Sequence, residues 1–121
     1  MKLGKIKEIL KADLIVGSSL ETEIKIICAC DLMSDVLSCI QIQSSSLLLT
    51  NLTHPQVVRT AEMAEIPAIC FVRGKKPQDL TMDLAKKNGI VLLSSSFSLY
   101  EASGQLYEEG LPGCSEYMEA R

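Results

Sequence analysis

The sequence has little of what several enzyme classes require. It contains no tryptophan, two phenylalanines and three tyrosines, and its one histidine is His54. A single histidine leaves little room for a Ser-His-Asp or Cys-His relay. Cys28 and Cys30 form a C-x-C pair, but no second cysteine or histidine pair completes a zinc site. We therefore expect no metal, no cofactor and no catalytic residues, and an enzyme that pairs His54 with Asp31 or Asp35 is the weakest alternative.

Phosphate-binding and hydrolase motifs are also absent. Neither G-x-x-x-x-G-K-[ST] nor G-x-G-x-x-G occurs, and there is no G-x-S-x-G segment. Phosphoryl transfer by a nucleotide-loop mechanism is therefore not supported, and neither is a hydrolase of the nucleophile-elbow type.

Charge and hydropathy exclude two kinds of partner. Twelve basic against 15 acidic residues give a net charge of −3, without the basic surface that nucleic acid requires. No apolar run approaches the roughly 20 residues of a membrane span, and the first residues do not lead into a signal core. Five cysteines, an odd number, favour reduced thiols over a disulfide framework. We expect a cytoplasmic protein with no nucleic-acid or membrane partner.

One pattern occurs three times between residues 46 and 110. A short apolar run (47–49, 68–72 and 90–93) is followed by a polar loop (50–54, 73–77 and 94–96) and then by an amphipathic segment. This order predicts βαβ units, whose parallel strands are covered on both faces. With 121 residues, we expect one three-layer α/β domain over residues 1–112, with a mostly parallel central sheet flanked by helices. Residues 113–121 are expected to form a flexible tail.

The remaining elements follow from hydrophobic spacing and end signals. Strands are predicted over residues 14–16 and 23–30, and helices over residues 1–12, 31–40, 77–87, 97–109 and from Pro55 onward. Asp31 and Ser96 are predicted to cap the helices that follow them.

Polar side chains concentrate in the three loops, which parallel strands would bring to one edge of the sheet. That edge is where open α/β sheets normally bind ligands. The loop at 73–77 carries three cations before a predicted helix start, where an anion also meets free N–H groups. A solvated loop with solubilising lysines is the alternative. The predicted ligand-binding residues are Thr50, Asn51, Thr53, His54, Arg73, Gly74, Lys75, Lys76, Ser94, Ser95 and Ser96.

Four segments together resemble stand-alone DRTGG-domain proteins, over about residues 14–111. They are residues 31–37 (DLMSDVL), 58–64 (VRTAEMA), 71–75 (FVRGK) and 104–110 (GQLYEEG). The family is similar to the N-terminal domain of HPr kinase/phosphorylase and to the regulatory domain of phosphotransacetylases, and it also occurs beside CBS modules. Where its signature has an Asp-Arg pair, this chain has Thr53-His54, and no Gly-Gly follows. The resemblance implies a ligand-sensing or dimer-forming domain without an established reaction.

Two hypotheses follow. The first is a non-catalytic homodimer that binds a small anionic metabolite, such as a nucleotide, at the loop edge. The second is a protein–protein adaptor or accessory subunit that docks a partner enzyme of a metabolic system and binds no small molecule. Some single-domain members of the resembled family are encoded near hydrogenase genes, which implies a hydrogenase-related system for the second hypothesis. Candidate residues for an association patch are Ile24, Ile26, Tyr100 and Tyr107.

Overall fold

The apolar runs form the middle of a five-stranded sheet in the computed structural model, which describes residues 1–38 and 45–114. The strands are β1 (Asp13–Val16), β2 (Ile26–Ala29), β3 (Ser46–Thr50), β4 (Ala68–Phe71) and β5 (Val91–Ser94). The helices are α1 (Leu3–Ile9), α2 (Met33–Ser38), α3 (Pro55–Met63), α4 (Asp79–Asn88) and α5 (Leu99–Glu108). The strand order is β1-β5-β4-β3-β2, with β2 to β5 parallel and β1 antiparallel to β5. The predicted fold class is confirmed.

The three central strands are buried along their whole length. Every residue of β3, β4 and β5 is buried, which is why these strands read as continuous apolar runs without alternation. The edge strand β1 instead begins with two exposed residues, Asp13 and Leu14. The repeated pattern of residues 46–110 predicts parallel strands only, so it did not predict the antiparallel pairing of β1 with β5.

The helices divide unequally between the two faces of the sheet. Helices α2, α3 and α4 pack with Leu48, Ile69 and Leu92 on one face. Helices α1 and α5 pack on the other face, against Leu47 and Leu93. Because the chain steps from β2 to β5 in one direction, right-handed crossovers bring the intervening helices to the same side. After β5 the chain returns to the face on which α1 packs.

Most element positions were predicted correctly, but some ends differ. Pro55 occupies the first turn of α3, where its missing N–H has no intrahelical partner to lose, and Gly89 ends α4 in the left-handed conformation. Helix α4 begins at Asp79, two residues after Pro77. Helix α2 begins at Met33, so the prediction that Asp31 caps it was wrong. The last part of that predicted helix, residues 39–40, lies outside the described residues.

The segment after α5 packs along the open edge of β2. Leu111 is buried, and the Ile27 N–H donates to the Pro112 carbonyl at 2.9 Å. Gly113 continues this contact as a parallel bridge with Ile27. The remainder of the predicted tail, residues 115–121, lies outside the described residues.

The N-cap of α5 is Ser98, and the prediction of Ser96 was wrong. The Ser98 hydroxyl accepts from the Glu101 N–H at 3.1 Å, and the Glu101 carboxylate accepts from the Ser98 N–H at 3.0 Å. This reciprocal capping box satisfies two N–H groups, and no such pair is available at Ser96 because Phe97 and Ser98 precede the helix.

We predict that Ser98→Ala lowers the free energy of unfolding by about 1 kcal/mol, because the Glu101 N–H loses its partner. Ser96→Ala, at the exposed position two residues earlier, is expected to change it by less than about 0.5 kcal/mol. Urea denaturation of the two variants and the wild type measures both values. Equal losses at the two positions would contradict the capping assignment.

Candidate functional site

The three polar loops lie along one edge of the sheet, as the repeat predicts. Thr50, Phe71 and Ser94 are in register at the carboxyl ends of β3, β4 and β5. The pairing continues past the strands, since the Val72 N–H donates to the Thr50 carbonyl at 3.1 Å and the Ser95 N–H to the Phe71 carbonyl at 2.8 Å. We call this edge the rim; it consists of loops 50–54, 73–77 and 94–97.

Loop 73–77 is fastened to loop 94–97 by three hydrogen bonds. The Arg73 N–H donates to the Phe97 carbonyl at 2.7 Å, and the Gly74 N–H to the Ser95 carbonyl at 2.8 Å. The Ser94 hydroxyl donates to the Lys75 carbonyl at 2.8 Å. Arg73 and Gly74 both have left-handed backbones, with φ of 61° and 67°. The left-handed conformation costs a non-glycine residue such as Arg73 about 1 kcal/mol. The hydrogen bonds to loop 94–97 offset this cost and hold loop 73–77 in one conformation.

Loop 50–54 is fastened to the start of α4. The Thr53 carbonyl accepts from the Gln78 N–H at 3.2 Å and from the Thr81 hydroxyl at 2.8 Å. Thr81 is fully buried, and its bond to a loop carbonyl accounts for that burial. The first two rim loops are therefore joined through α4, in addition to their pairing at Val72.

Asp31 lies at the same edge of the sheet and contacts the rim, although the helical pattern after it predicted a helix cap. Its carboxylate accepts from the Thr50 hydroxyl at 2.8 Å, from the Asn51 N–H at 2.7 Å and from the Asn51 Nδ2 at 3.0 Å. Asp31 follows β2, so the parallel strands bring it to the same edge as the three loops. Its place directly after a predicted strand was the signal that could have identified it.

The pKa of Asp31 lies below its ordinary value of 3.8. Partial burial acts to raise it, but hydrogen bonds from the Asn51 backbone, the Asn51 side chain and the Thr50 hydroxyl favour the charged form and prevail. The positive charge of Lys75, in loop 73–77, lowers this pKa further.

The predicted binding residues fall into two groups. The first group makes internal hydrogen bonds: Thr50 and Asn51 to Asp31, Ser94 to Lys75 and Ser95 to the Leu10 carbonyl at 2.7 Å. The second group reaches the surface, where Arg73, Gly74, Lys75, Lys76 and Ser96 are exposed and Thr53 and His54 are half-buried. His54 is the N-cap residue of α3, and its side chain makes no capping bond.

The prediction that Ile24 and Ile26 belong to an association patch is wrong, and association through Tyr100 and Tyr107 stays a prediction. Ile24 and Ile26 are buried and belong to the domain's own core, so neither is available to a partner. Tyr100 and Tyr107 are 87% and 62% exposed, and both lie on the outer side of α5.

None of the predicted binding residues lines either of two clefts in the described part of the chain. The larger, of about 630 Å³, lies between α5, the end of β2 and residues 111–114. The smaller, of about 260 Å³, lies between the loop after β1 and the carboxyl end of α4. At the rim itself, hydrogen bonds join the neighbouring loops.

The described residues also bear on whether the chain has a reactive thiol, a metal site or a membrane span. Burial raises the pKa of the Cys70 thiol to about 12, so this cysteine stays protonated and unreactive. Residues 1–38 and 45–114 contain no group of three or more His, Cys, Asp or Glu placed to hold a metal ion. Among the same residues, no helix combines the length and apolar character needed to cross a membrane.

Comparison with known proteins shows a likeness of fold. No protein-family model matches the chain, and no curated protein matches it. One similar solved structure contains the CBS and DRTGG domains of the regulatory region of Clostridium perfringens pyrophosphatase, in complex with the activator diadenosine tetraphosphate. The TM-score is 0.62 at 15% identity, over 86% of this chain and 45% of that chain. The likeness concerns the fold alone, and this chain spans less than half of that regulatory region.

We predict that Asp31→Asn destabilises the protein by about 1 kcal/mol at neutral pH, because an amide cannot accept all three hydrogen bonds. The loss stays this small because Asp31 is exposed to solvent. A pKa lowered on folding contributes stability above its unfolded value of 3.8, and this contribution is lost as pH falls through the folded value. The difference from wild type should therefore shrink below about pH 4.

Urea unfolding over a pH series measures this difference. The control is Asp83→Asn, which removes an exposed carboxylate from α4. Its difference in stability from the wild type should not follow the pH dependence expected for Asp31→Asn. A difference that stays constant down to the lowest pH would contradict the role given to Asp31.

Proposed function

We propose that this chain is a non-catalytic regulatory domain that binds a small anionic ligand at the rim. The observation that carries this proposal is the form of loop 73–77. Arg73, Lys75 and Lys76 are exposed on a backbone fixed by hydrogen bonds to loop 94–97. A cationic loop that is already ordered loses less conformational entropy on binding than a mobile one.

The position of this loop in the fold supports the same proposal. The chain leaves β4 toward α4 on one face and leaves β5 toward α5 on the other, so the connections diverge between these neighbouring strands. Ligands of open α/β sheets bind at such a switch point, outside the carboxyl ends of the strands. Because hydrogen bonds close the rim here, we place the ligand on its outer surface.

The first turn of α3 adds a second source of attraction for an anion. The helix begins after His54, and its N-terminal N–H groups carry the positive end of the helix dipole. His54 and Thr53 are half-buried at this end and are the side chains proposed to orient the ligand. Thr50, Asn51, Ser94 and Ser95 hold the loops together and act on the ligand only through that support.

The similar pyrophosphatase structure guides the choice of ligand. That regulatory region was solved with a dinucleoside tetraphosphate activator. This supports a regulatory, ligand-sensing role for the present chain and makes nucleotides the first compounds to test. We further propose a cytoplasmic homodimer, with no nucleic-acid or membrane partner.

We predict that a polyphosphate nucleotide raises the melting temperature of the wild type, and that Arg73→Ala with Lys75→Ala abolishes this rise. Ligand at 100 times its Kd stabilises the folded state by about 2.7 kcal/mol, which a thermal-shift assay resolves. The screen should contain diadenosine tetraphosphate, ADP and acetyl phosphate.

The matched control is Lys86→Ala with Lys87→Ala, which removes two cations from the last turn of α4 at the opposite edge of the sheet. The control should keep the full shift. An equal shift in both double variants would place the ligand elsewhere, and no shift of the wild type at millimolar ligand would favour the adaptor hypothesis.

A homodimer is expected to sediment at equilibrium with twice the 13.2 kDa mass of the chain. Sedimentation equilibrium at micromolar concentrations tests this directly. A single species at the chain mass, with and without the nucleotide, would contradict the dimer.

A further inference from the structure

Among the described residues, helix α5 presents an outer face that is largely exposed. Ala102 and Leu106 point into the core, while Tyr100 and Tyr107 are mostly exposed. The two tyrosines are seven positions apart, which puts both on one side of the helix. Large exposed apolar surface beside a cleft is characteristic of sites where another molecule binds.

Gly104 lies between these tyrosines and has no reason to be glycine within the described fold. It is exposed, and a Cβ built on it would meet no atom within 4 Å. Glycine inside a helix costs about 1 kcal/mol relative to alanine, so the position carries a stability penalty that the domain's own packing does not require. A missing side chain here opens a gap between Tyr100 and Tyr107.

This gap continues into the cleft of about 630 Å³. Ile27 and Ala29 of the edge strand β2 line the opposite wall, and Phe97 lies at the rim end of α5. The volume is in the range of small-molecule and peptide side-chain pockets, about 300 to 1,000 Å³. Aromatic, aliphatic and glycine residues therefore surround a space that the side chain of a partner could occupy.

The charge of the cleft is of one sign. Glu101 and Glu108 line it, and no lysine or arginine is among its lining residues in the described part of the chain. The Ser98 backbone N–H and then the Ser98 side chain hold the pKa of Glu101 below its usual value, so this carboxylate stays ionised at neutral pH. A two-fold contact of α5 with the α5 of a second copy would oppose these carboxylates, which is unfavourable.

We propose that the α5 cleft is a docking site for a basic segment of a partner protein, one that carries arginine or lysine next to an apolar side chain. The apolar side chain would occupy the gap over Gly104. The cation would lie against a tyrosine ring within reach of Glu101 or Glu108, an arrangement that combines cation–π attraction with an ion pair. This site uses none of the cations of the rim, so it stands or falls independently of ligand binding there.

The test uses two variants of the full chain that fill or reverse the site. Gly104→Leu places a side chain in the open gap, and it should fold at least as stably as the wild type because leucine is a better helix former. Glu108→Lys reverses one charge at the cleft. Glu62→Lys, an exposed substitution on α3 at the opposite face, is the matched control for the change in net charge.

The probe is a fluorescein-labelled peptide of alternating arginine and leucine, compared by fluorescence anisotropy with the same peptide carrying glutamate for arginine. We expect binding of the arginine peptide alone, weakened about tenfold by Gly104→Leu and by Glu108→Lys but not by Glu62→Lys. Unchanged affinity of both cleft variants, or equal binding of the two peptides, would overturn the proposal. Loss of self-association in Gly104→Leu, seen by sedimentation, would also overturn it, because the occupant would then be a second copy.

Discussion

Burial of both faces of β3, β4 and β5 is the constraint on which the rest of this structure depends. Every residue of these strands is buried, so helices must cover the sheet on both sides and the strands must be joined by crossovers. Parallel pairing then brings all their carboxyl ends to one edge. The rim therefore follows from the parallel crossovers that the buried strands require, and it does not depend on which residues its loops carry.

The rim loops are shaped by contacts with each other more than by contacts with solvent. The Asp31 carboxylate accepts hydrogen bonds from Thr50 and Asn51. The carbonyls of Ser95 and Phe97 accept hydrogen bonds from the left-handed turn of loop 73–77. Buried or partly buried polar groups that are satisfied in this way form a rigid support. What remains for a ligand is the set of side chains that project beyond the support, and these are mainly cations.

The domain thus presents two surfaces of opposite character. The rim carries Arg73, Lys75 and Lys76, whereas the α5 cleft carries Glu101 and Glu108 between tyrosines. Phe97 belongs to both the rim and the α5 cleft, because its carbonyl accepts from the Arg73 N–H and Phe97 also lines the cleft. A regulatory domain that senses an anion at one surface and contacts a partner at another would have this general form, and the proposals for the two surfaces can be tested separately.

The sequence by itself determined the local elements: the apolar runs specified the buried strands, Pro55 the start of α3 and Gly89 the end of α4. These depend on side-chain polarity and backbone freedom within a few neighbouring residues. Tertiary structure alone decided the strand order, the antiparallel pairing of β1 and the use of the polar side chains. Ser95 bonds to Leu10, 85 residues away, and Asp31 bonds to Asn51, 20 residues away. The position of Asp31 after a strand indicated its edge of the sheet, but the partners of both side chains depend on how distant segments of the chain pack.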